Sequence, residues 1–342
     1  MSIARITVAE LASLVAVGIV HEELSVANGV AMVIVDHDGA TESSVRAVAD
    51  RIGMLPCVLI AEAAGTRARR PASDTASEGN PLAPLVDVIA DPDEAAMIAE
   101  HVGIAPLAAI TLVSLIRQST TGTIEQGLIN ESVSYSMLQS GPEFGRWRAA
   151  RTQRVRAASS DPAVLVTRDG AIVHIALNRP EVHNALDSAV RDGLVEGLTT
   201  AIVDDTIERI VLRGNGPSFC SGGDLGTFGT FPDPATAHAV RLTRSPARLM
   251  ARLADRIEVH VHGTCLGAGI ELPAFAGRVV AHPDTTFGLP EIGLGLIPGA
   301  GGTVSLPRRI GRHRTALLAL TMRRIDALTA RQWGLIDAIT DA

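Results

Sequence analysis

The segment His262-Gly263-Thr264-Cys265-Leu266-Gly267-Ala268-Gly269-Ile270-Glu271 follows a β-rich piece, residues 257–261, and passes through small residues into an apolar, helix-like run that ends on a carboxylate. Small residues let a ligand come against the backbone. The first N–H groups of a helix lack intrahelical partners, and the helix dipole favours negative charge at that end. Such a turn can stabilise an oxyanion. A second carboxylate, Glu291, stands in Phe287-Gly288-Leu289-Pro290-Glu291, just before the apolar, glycine-punctuated run 292–298. Two glutamates in apolar, glycine-rich settings point to acid–base chemistry on a substrate whose carbonyl is polarised.

A third segment, Phe219-Cys220-Ser221-Gly222-Gly223-Asp224-Leu225, follows an apolar piece at 209–212 and the turn Gly214-Asn215-Gly216-Pro217. Alone, a Ser-Gly-Gly-Asp run is an ordinary loop. Glu271 alone could complement the dipole of its own helix, and Glu291 alone could pair with an arginine. Those readings together leave the glycine-rich loops unexplained, whereas a single cleft could gather the loops and both carboxylates.

The elements that must position these loops alternate between strand and helix beyond residue 159. Residues 164–167 and 172–177 read as paired strands around the turn Arg168-Asp169-Gly170-Ala171, 187–204 as an amphipathic helix, and 209–212 as a buried strand. A long helix is expected over 236–255, a strand over 278–281, and a closing helical region over 314–335. This alternation predicts an α/β architecture with mostly parallel pairing. The first half starts with one βαβ-like unit (31–36, 41–52, 57–61). A polar, Gly/Pro-rich stretch at 65–84 follows, expected to be an exposed, mobile loop. A helical pattern then fills 91–156, with Pro92 at a helix start, a second helix over 123–139 and a third beginning near Pro142.

The chain has 342 residues, a hydrophobic fraction of 46%, a charged fraction of 20% and a net charge of −7, values of an ordinary globular protein with no basic face for nucleic acid. It contains no lysine, so all 30 of its Lys-plus-Arg residues are arginine; Schiff-base catalysis is excluded, and a phosphate contact must come from Arg or His. Cys57, Cys220 and Cys265 share no metal-ligand spacing and cannot all pair, which favours a reducing, cytoplasmic compartment. The first ten residues lack the order of a signal peptide, and no uncharged apolar run reaches about 18 residues. No membrane association is expected.

From about residue 164 to 342 the chain resembles the enoyl-CoA hydratase/isomerase (crotonase) family. Leu177-Asn178-Arg179-Pro180-Glu181-Val182-His183-Asn184-Ala185-Leu186 is similar to its first-strand signature, and residues 219–225 and 262–272 to its two oxyanion loops. Residues 287–303, ending Ile297-Pro298-Gly299-Ala300-Gly301-Gly302-Thr303, resemble its most specific block. The resemblance implies a ββα spiral core. It also implies that the backbone N–H groups of Gly223 and Ala268 bind the thioester oxygen, and that Glu271 and Glu291 activate the water added across C2–C3 and protonate C2. Arg179, His183, Ala185, Ser221, Asp224 and Leu225 fall on substrate- or CoA-binding positions. Gly226 stands where relatives often carry a basic residue, which implies a weaker contact there or its transfer to Arg179 or another arginine. Reversible hydration of an enoyl-CoA is the implied activity, with no metal and no redox cofactor, coenzyme A entering as part of the substrate. Isomerisation, hydrolysis or C–C cleavage of an acyl-CoA, and a non-catalytic acyl-CoA-binding role, are the alternatives.

Relatives continue past the equivalent of Trp333-Gly334-Leu335-Ile336-Asp337 into helices that cover the acyl pocket and make trimer contacts. Residues 112–117, 124–139 and 141–151 resemble that tail, and 85–95 the join leading into it. The expectation is an N-terminal part, 1–159, that is a degenerate crotonase-like unit with tail-like helices at about 91–156 and without a catalytic glutamate. It would serve a catalytic core at 160–342 in a homo-trimer or hexamer.

Overall fold

The computed structural model describes residues 2–63, 80–119, 121–151 and 161–341. Most of the expected loop at 65–84, and the connection at 156–161 up to residue 160, lie outside the described residues.

Four parallel strands, Ser2–Thr7 (β1), Val30–Asp36 (β2), Val58–Glu62 (β3) and Val88–Ala90 (β4), form a sheet in that order. Both faces of β2 are buried, as a continuous Val/Ile-rich run requires. Its Val33 and Val35 join a cluster with Leu11 of helix α1 (Val8–Val17) and Val45 and Val48 of α3 (Glu42–Ala49), the one-turn helix α2 (Val20–Glu23) lying between. Its Met32 and Ile34 face the other way, into a core that extends through the rest of the molecule. The edge strand β1 was not expected from the sequence.

The helical stretch begins with α4 (Pro92–Ile104) and α5 (Pro106–Gln118). They meet at 115°, because Pro106 starts the second helix and forces Ala105 out of helical geometry. No single helix among the described residues is long and apolar enough to cross a membrane. Arg117 ties α5 to the first sheet with a two-pronged pair to buried Asp87 (2.7 and 2.8 Å). Next come α6 (Ile124–Gln139), capped by Thr123, and α7 (Pro142–Ala149).

The second half opens with the hairpin Val164–Asp169 (β5) and Ile172–Leu177 (β6), whose turn uses Gly170 at φ 57°. Helix α8 (Ser188–Val203), capped by Asp187, crosses to Arg209–Gly214 (β7). The expected long helix over 236–255 is instead α9 (Pro234–Thr243) and α10 (Pro246–Arg252), because Pro246 ends one helix while Ser245 caps the next. Then follow β8 (Ile257–Val261), β9 (Thr264–Leu266), the single turn α11 (Ala268–Glu271), β10 (Arg278–Ala281) and β11 (Thr286–Gly288). The expected helical run after Gly267 is this short because Pro273 redirects the chain into a 3-10 turn. The closing elements are α12 (Gly302–Ile310), α13 (Arg312–Thr321), β12 (Ile325–Asp326), α14 (Ala327–Trp333) and β13 (Ala338–Ile339).

β13, β10, β8, β7, β6 and β5 line up in that order as a six-stranded sheet, parallel except for the β5/β6 hairpin, and β12, β11 and β9 form a smaller one. The helical stretch packs on this half: α5 and α6 against α12, α6 against α9 and α10, and α4 and α5 against α13.

Candidate active site

Two loops leave the carboxyl ends of β7 and β8 and are sewn together by backbone bonds. Cys220 and Cys265 form a parallel bridge, with Leu266 N–H donating to the Cys220 carbonyl at 3.1 Å. Leu186 bridges to Gly223 on the other side, its N–H donating to the Gly222 carbonyl at 2.7 Å and its carbonyl accepting from Asp224 N–H at 3.0 Å. The N–H groups of Gly223 and Ala268 donate to nothing among the described residues, and both residues line a cavity of about 790 Å³. These are two unsatisfied donors at a ligand-sized space.

Two carboxylates close on the same point. Glu271 ends α11, and Glu291 starts a 3-10 turn (Glu291–Leu294) directly after Pro290. Gly267, at φ +49°, admits both: a Cβ there would collide with Glu291 Oε1 and come within 3.6 Å of Glu271 Oε1. Glu271 Oε2 is occupied, accepting from Ala300 N–H (2.7 Å) and Gly302 N–H (2.9 Å), which leaves Oε1 for chemistry. Glu291 Oε2 is buried and has no hydrogen-bond partner. A native chain rarely leaves a buried carboxylate oxygen unpaired unless a ligand or water completes it.

A third carboxylate comes from the first half of the chain. Glu131 of α6 is 2% exposed; its Oε1 accepts from Gly301 N–H (2.7 Å), and its Oε2 from Thr303 N–H (2.9 Å) and Thr303 Oγ1 (2.7 Å). The four consecutive amides of residues 300–303 therefore alternate between Glu271 and Glu131. Sequence reading found no glutamate of this kind before residue 159. The signal was present in α6 itself, whose buried face carries Glu131, Ser132, Tyr135 and Ser136 where an apolar stripe belongs.

Burial dominates the protonation of all three. It pushes Glu291 up to about 8 and Glu131 up to about 7. Glu271 is also raised well above its ordinary value, first by burial and then by the charges of Glu291 and Glu131. Mutually repelling buried carboxylates hold protons at neutral pH that exposed ones would release. The cysteines beside it offer no competing nucleophile, since burial pushes the Cys220 thiol up to about 12 and Cys265 well above its usual range.

Of the residues expected in the site, Gly223, Ala268, Glu271 and Glu291 line the cavity. Arg179, His183, Ala185, Ser221, Asp224 and Leu225 do not. Arg179 is buried and donates from its N–H to Asn184 Oδ1 (2.7 Å), His183 Nδ1 contacts Ser218 Oγ (2.9 Å), and Ala185 N–H donates to the Val182 carbonyl (3.1 Å). Ser221 N–H donates to the His183 carbonyl (2.9 Å), Asp224 Oδ1 accepts from Gly226 N–H (3.0 Å), and Leu225 is half-buried. His183 thus ties the 179–185 segment to Ser218 and Ser221 of the 218–225 loop. The cavity wall also carries Tyr135 of α6 and Phe228, which meet edge to face at 6.4 Å.

The family profile for enoyl-CoA hydratase/isomerase matches residues 167–342. The chain is 38% identical over 176 residues to the 2,3-dehydroadipyl-CoA hydratase of Escherichia coli (strain K12), covering 52% of this chain and 68% of that one. It is 35% identical over 174 residues to the 1,2-epoxyphenylacetyl-CoA isomerase of the same organism, covering 50% and 66%. The crystal structure of an enoyl-CoA hydratase from Thermoplasma volcanium GSS1 aligns over 53% of this chain and 73% of that one at 32% identity, with a TM-score of 0.48. The chain belongs to the enoyl-CoA hydratase/isomerase family, with the crotonase fold. It is an enzyme of that type, and the family implies an acyl-CoA substrate.

Proposed function

We propose that the protein catalyses the reversible addition of water across the C2–C3 double bond of an enoyl-CoA thioester. The observation that carries this reading is the convergence of Glu271 Oε1 and Glu291 on Gly267, with Glu291 Oε2 buried and unpaired, beside two free backbone donors. The thioester oxygen accepts from the N–H groups of Gly223 and Ala268, and these donors stabilise the negative charge that develops on it as water adds at C3. A water held between the two carboxylates gives up a proton to the basic member as its oxygen bonds to C3. A proton from the pair then goes to C2 as the enolate collapses, so the pair ends where it began. The carboxylates and amides supply the whole of this chemistry, with no metal or redox cofactor, and coenzyme A enters as part of the substrate.

In this reading the stretch 92–149 does the work of the tail that the family places after its core: α6 supplies part of the cavity wall, and Glu131 holds the 300–303 loop. The remaining proposals are a homo-trimer or hexamer, testable by light scattering, and a cytoplasmic location, which three free cysteines support. Incubation with crotonyl-CoA should remove the absorbance of the conjugated thioester and yield the 3-hydroxyacyl product. Tight binding without turnover would leave a binding protein. Conversion of a 3-enoyl to a 2-enoyl thioester without water uptake would favour isomerisation, the reaction class that the second relative's name carries.

A further inference from the structure

Past the Phe228–Tyr135 pair the cavity wall carries a cation. A Cβ on Gly223 would run into the Phe228 ring, Phe228 meets Tyr135 with ring centroids 6.4 Å apart, and Arg241 of α9 places its guanidinium carbon 5.0 Å from the Tyr135 ring centroid. Gly223, Phe228, Tyr135 and Arg241 thus form a row from an oxyanion donor to a guanidinium, all four lining the same cavity.

Arg241 is held firmly but is not neutralised. Its Nε donates to Ser132 Oγ (3.1 Å) and its Nη2 to the Ser132 carbonyl (3.3 Å) and to Ser136 Oγ. Nη1 has no hydrogen-bond partner, and no carboxylate lies within ion-pair distance, among the described residues. The nearby Glu131 spends both carboxylate oxygens on Gly301 and Thr303. Burial accordingly lowers the pKa of Arg241, the charges of Tyr135 and Glu131 acting only as lesser opposing influences. A part-buried guanidinium without a direct ion pair is costly, and its planar fork presents donors in the geometry a carboxylate accepts. The serines fix the fork while leaving one arm for a ligand.

We propose that this end of the cavity is a subsite for a carboxylate at the far end of the acyl chain, with Arg241 as its partner, so that the preferred substrates are enoyl-CoA thioesters of dicarboxylic acids. This rests on the acyl-CoA reading above. A monocarboxylic chain of the same length takes water from Nη1 and returns nothing, and a site built around a polar contact discriminates against such an analogue.

The test uses two unreactive probes, adipyl-CoA and hexanoyl-CoA, which have the same chain length and differ by the terminal carboxylate, with binding followed by calorimetry on the full chain. The wild-type protein should bind adipyl-CoA roughly tenfold or more tightly, as a charged hydrogen bond warrants. Arg241→Gln should remove that preference while leaving hexanoyl-CoA binding within about twofold, and Arg241→Lys should restore part of it. Equal wild-type binding of the two probes overturns the proposal, and that measurement needs no variant to fold. Equal weakening of both probes in Arg241→Gln also overturns it, assigning Arg241 to packing or to a coenzyme A phosphate. Failure of the wild type to bind either probe removes the acyl-CoA reading itself, whereas hexanoyl-CoA binding with no preference for the diacid leaves that reading standing and only the subsite falls.

Discussion

Acidic residues beyond the strands are used to opposite effect in the four-stranded sheet and in the half that holds the six- and three-stranded sheets. In the four-stranded sheet, β2 ends at Asp36 and β3 at Glu62, and both side chains lean on Arg5 at 2.6 and 2.9 Å, with exposures of 40% and 36%. In the other half the acids that follow β9 and β11 are Glu271 and Glu291, exposed by 2% and 9%, paired with no arginine among the described residues and set beside the free amides of Gly223 and Ala268. Exposed pairs such as the first contribute about 0–1 kcal/mol and are replaceable. Buried carboxylates without cations cost stability, and a chain retains them where the cost serves a reaction. Parallel strand pairing is common to both regions; the chemistry depends on what the connections after the strands deliver.

Exchanging the acids one at a time tests this contrast most severely. Glu271→Gln and Glu291→Gln should each lower kcat by roughly 10²-fold or more, the usual scale of acid–base catalysis, with the fold intact by circular dichroism. Asp36→Asn and Glu62→Gln should leave kcat unchanged and shift stability by no more than about 0.5 kcal/mol. Comparable losses in both sets would erase the distinction between the two regions.

A smaller effect is expected at Glu131, which reaches the site from outside the region the family profile matches. Glu131→Ala leaves the Gly301 and Thr303 amides buried without acceptors, costing about 2 kcal/mol or more of stability. It also frees the loop that orients Glu271, so kcat should fall roughly tenfold, and the pH profile should shift as a whole toward lower pH because the Glu131 charge no longer raises Glu271 and Glu291. Loss of one limb of the profile, rather than its displacement, would instead make Glu131 a proton carrier in the reaction.

Glu271, Glu291 and the two glycine loops were legible in the sequence because each carboxylate stands in a short apolar, glycine-containing segment, although Gly267, which admits both, is 24 positions from Glu291. Glu131 was not, since its partners stand 170 and 172 positions away and only tertiary docking brings them together. The alternation of strand and helix after residue 159 predicted an α/β arrangement with mostly parallel pairing, but proline punctuation was undervalued at Pro106 and Pro246, each of which divides a stretch read as one helix. The edge strand β1 escaped notice because its Arg5 and partly exposed face mask the two-sided burial that marked β2.

Protonation sharpens the contrast further. Glu291 is raised by burial from 4.5 to about 8, so the folded protein holds a proton there that the unfolded chain has released across that range. Stability from this group is therefore full at low pH, declines as pH rises from about 4.5 to 8, and levels off above that. Glu131 adds the same sign of slope between 4.5 and about 7. If protonated Glu291 is the acid that serves C2, turnover should be about half-maximal near pH 8 and fall beyond it. Glu291→Gln should flatten the pH dependence of the melting temperature in the same window. A melting temperature that rises with pH between 5 and 8, in a variant series where only Glu291 changes, would contradict the burial argument.

The mildest perturbation tests how tightly the helical stretch is seated on the core. Gly127 of α6 lies against α12, where an added Cβ would sit 2.8 Å from Val304 Cγ2. Val304 is fully buried and β-branched, so it has little rotamer freedom with which to retreat. Replacing glycine by alanine inside a helix gains about 1 kcal/mol of propensity, and overpacking a closed core costs about 1–3 kcal/mol. Gly127→Ala should therefore be destabilising by about 1 kcal/mol, visible as a fall of about 2 °C in melting temperature. The same displacement carries Glu131, one turn further along α6, away from the 300–303 amides, so kcat should fall by less than in Glu131→Ala but in the same direction. A variant that melts higher and turns over normally would show that α6 does not press on α12, and that the alternating hold of Glu131 and Glu271 on the loop does not depend on this contact.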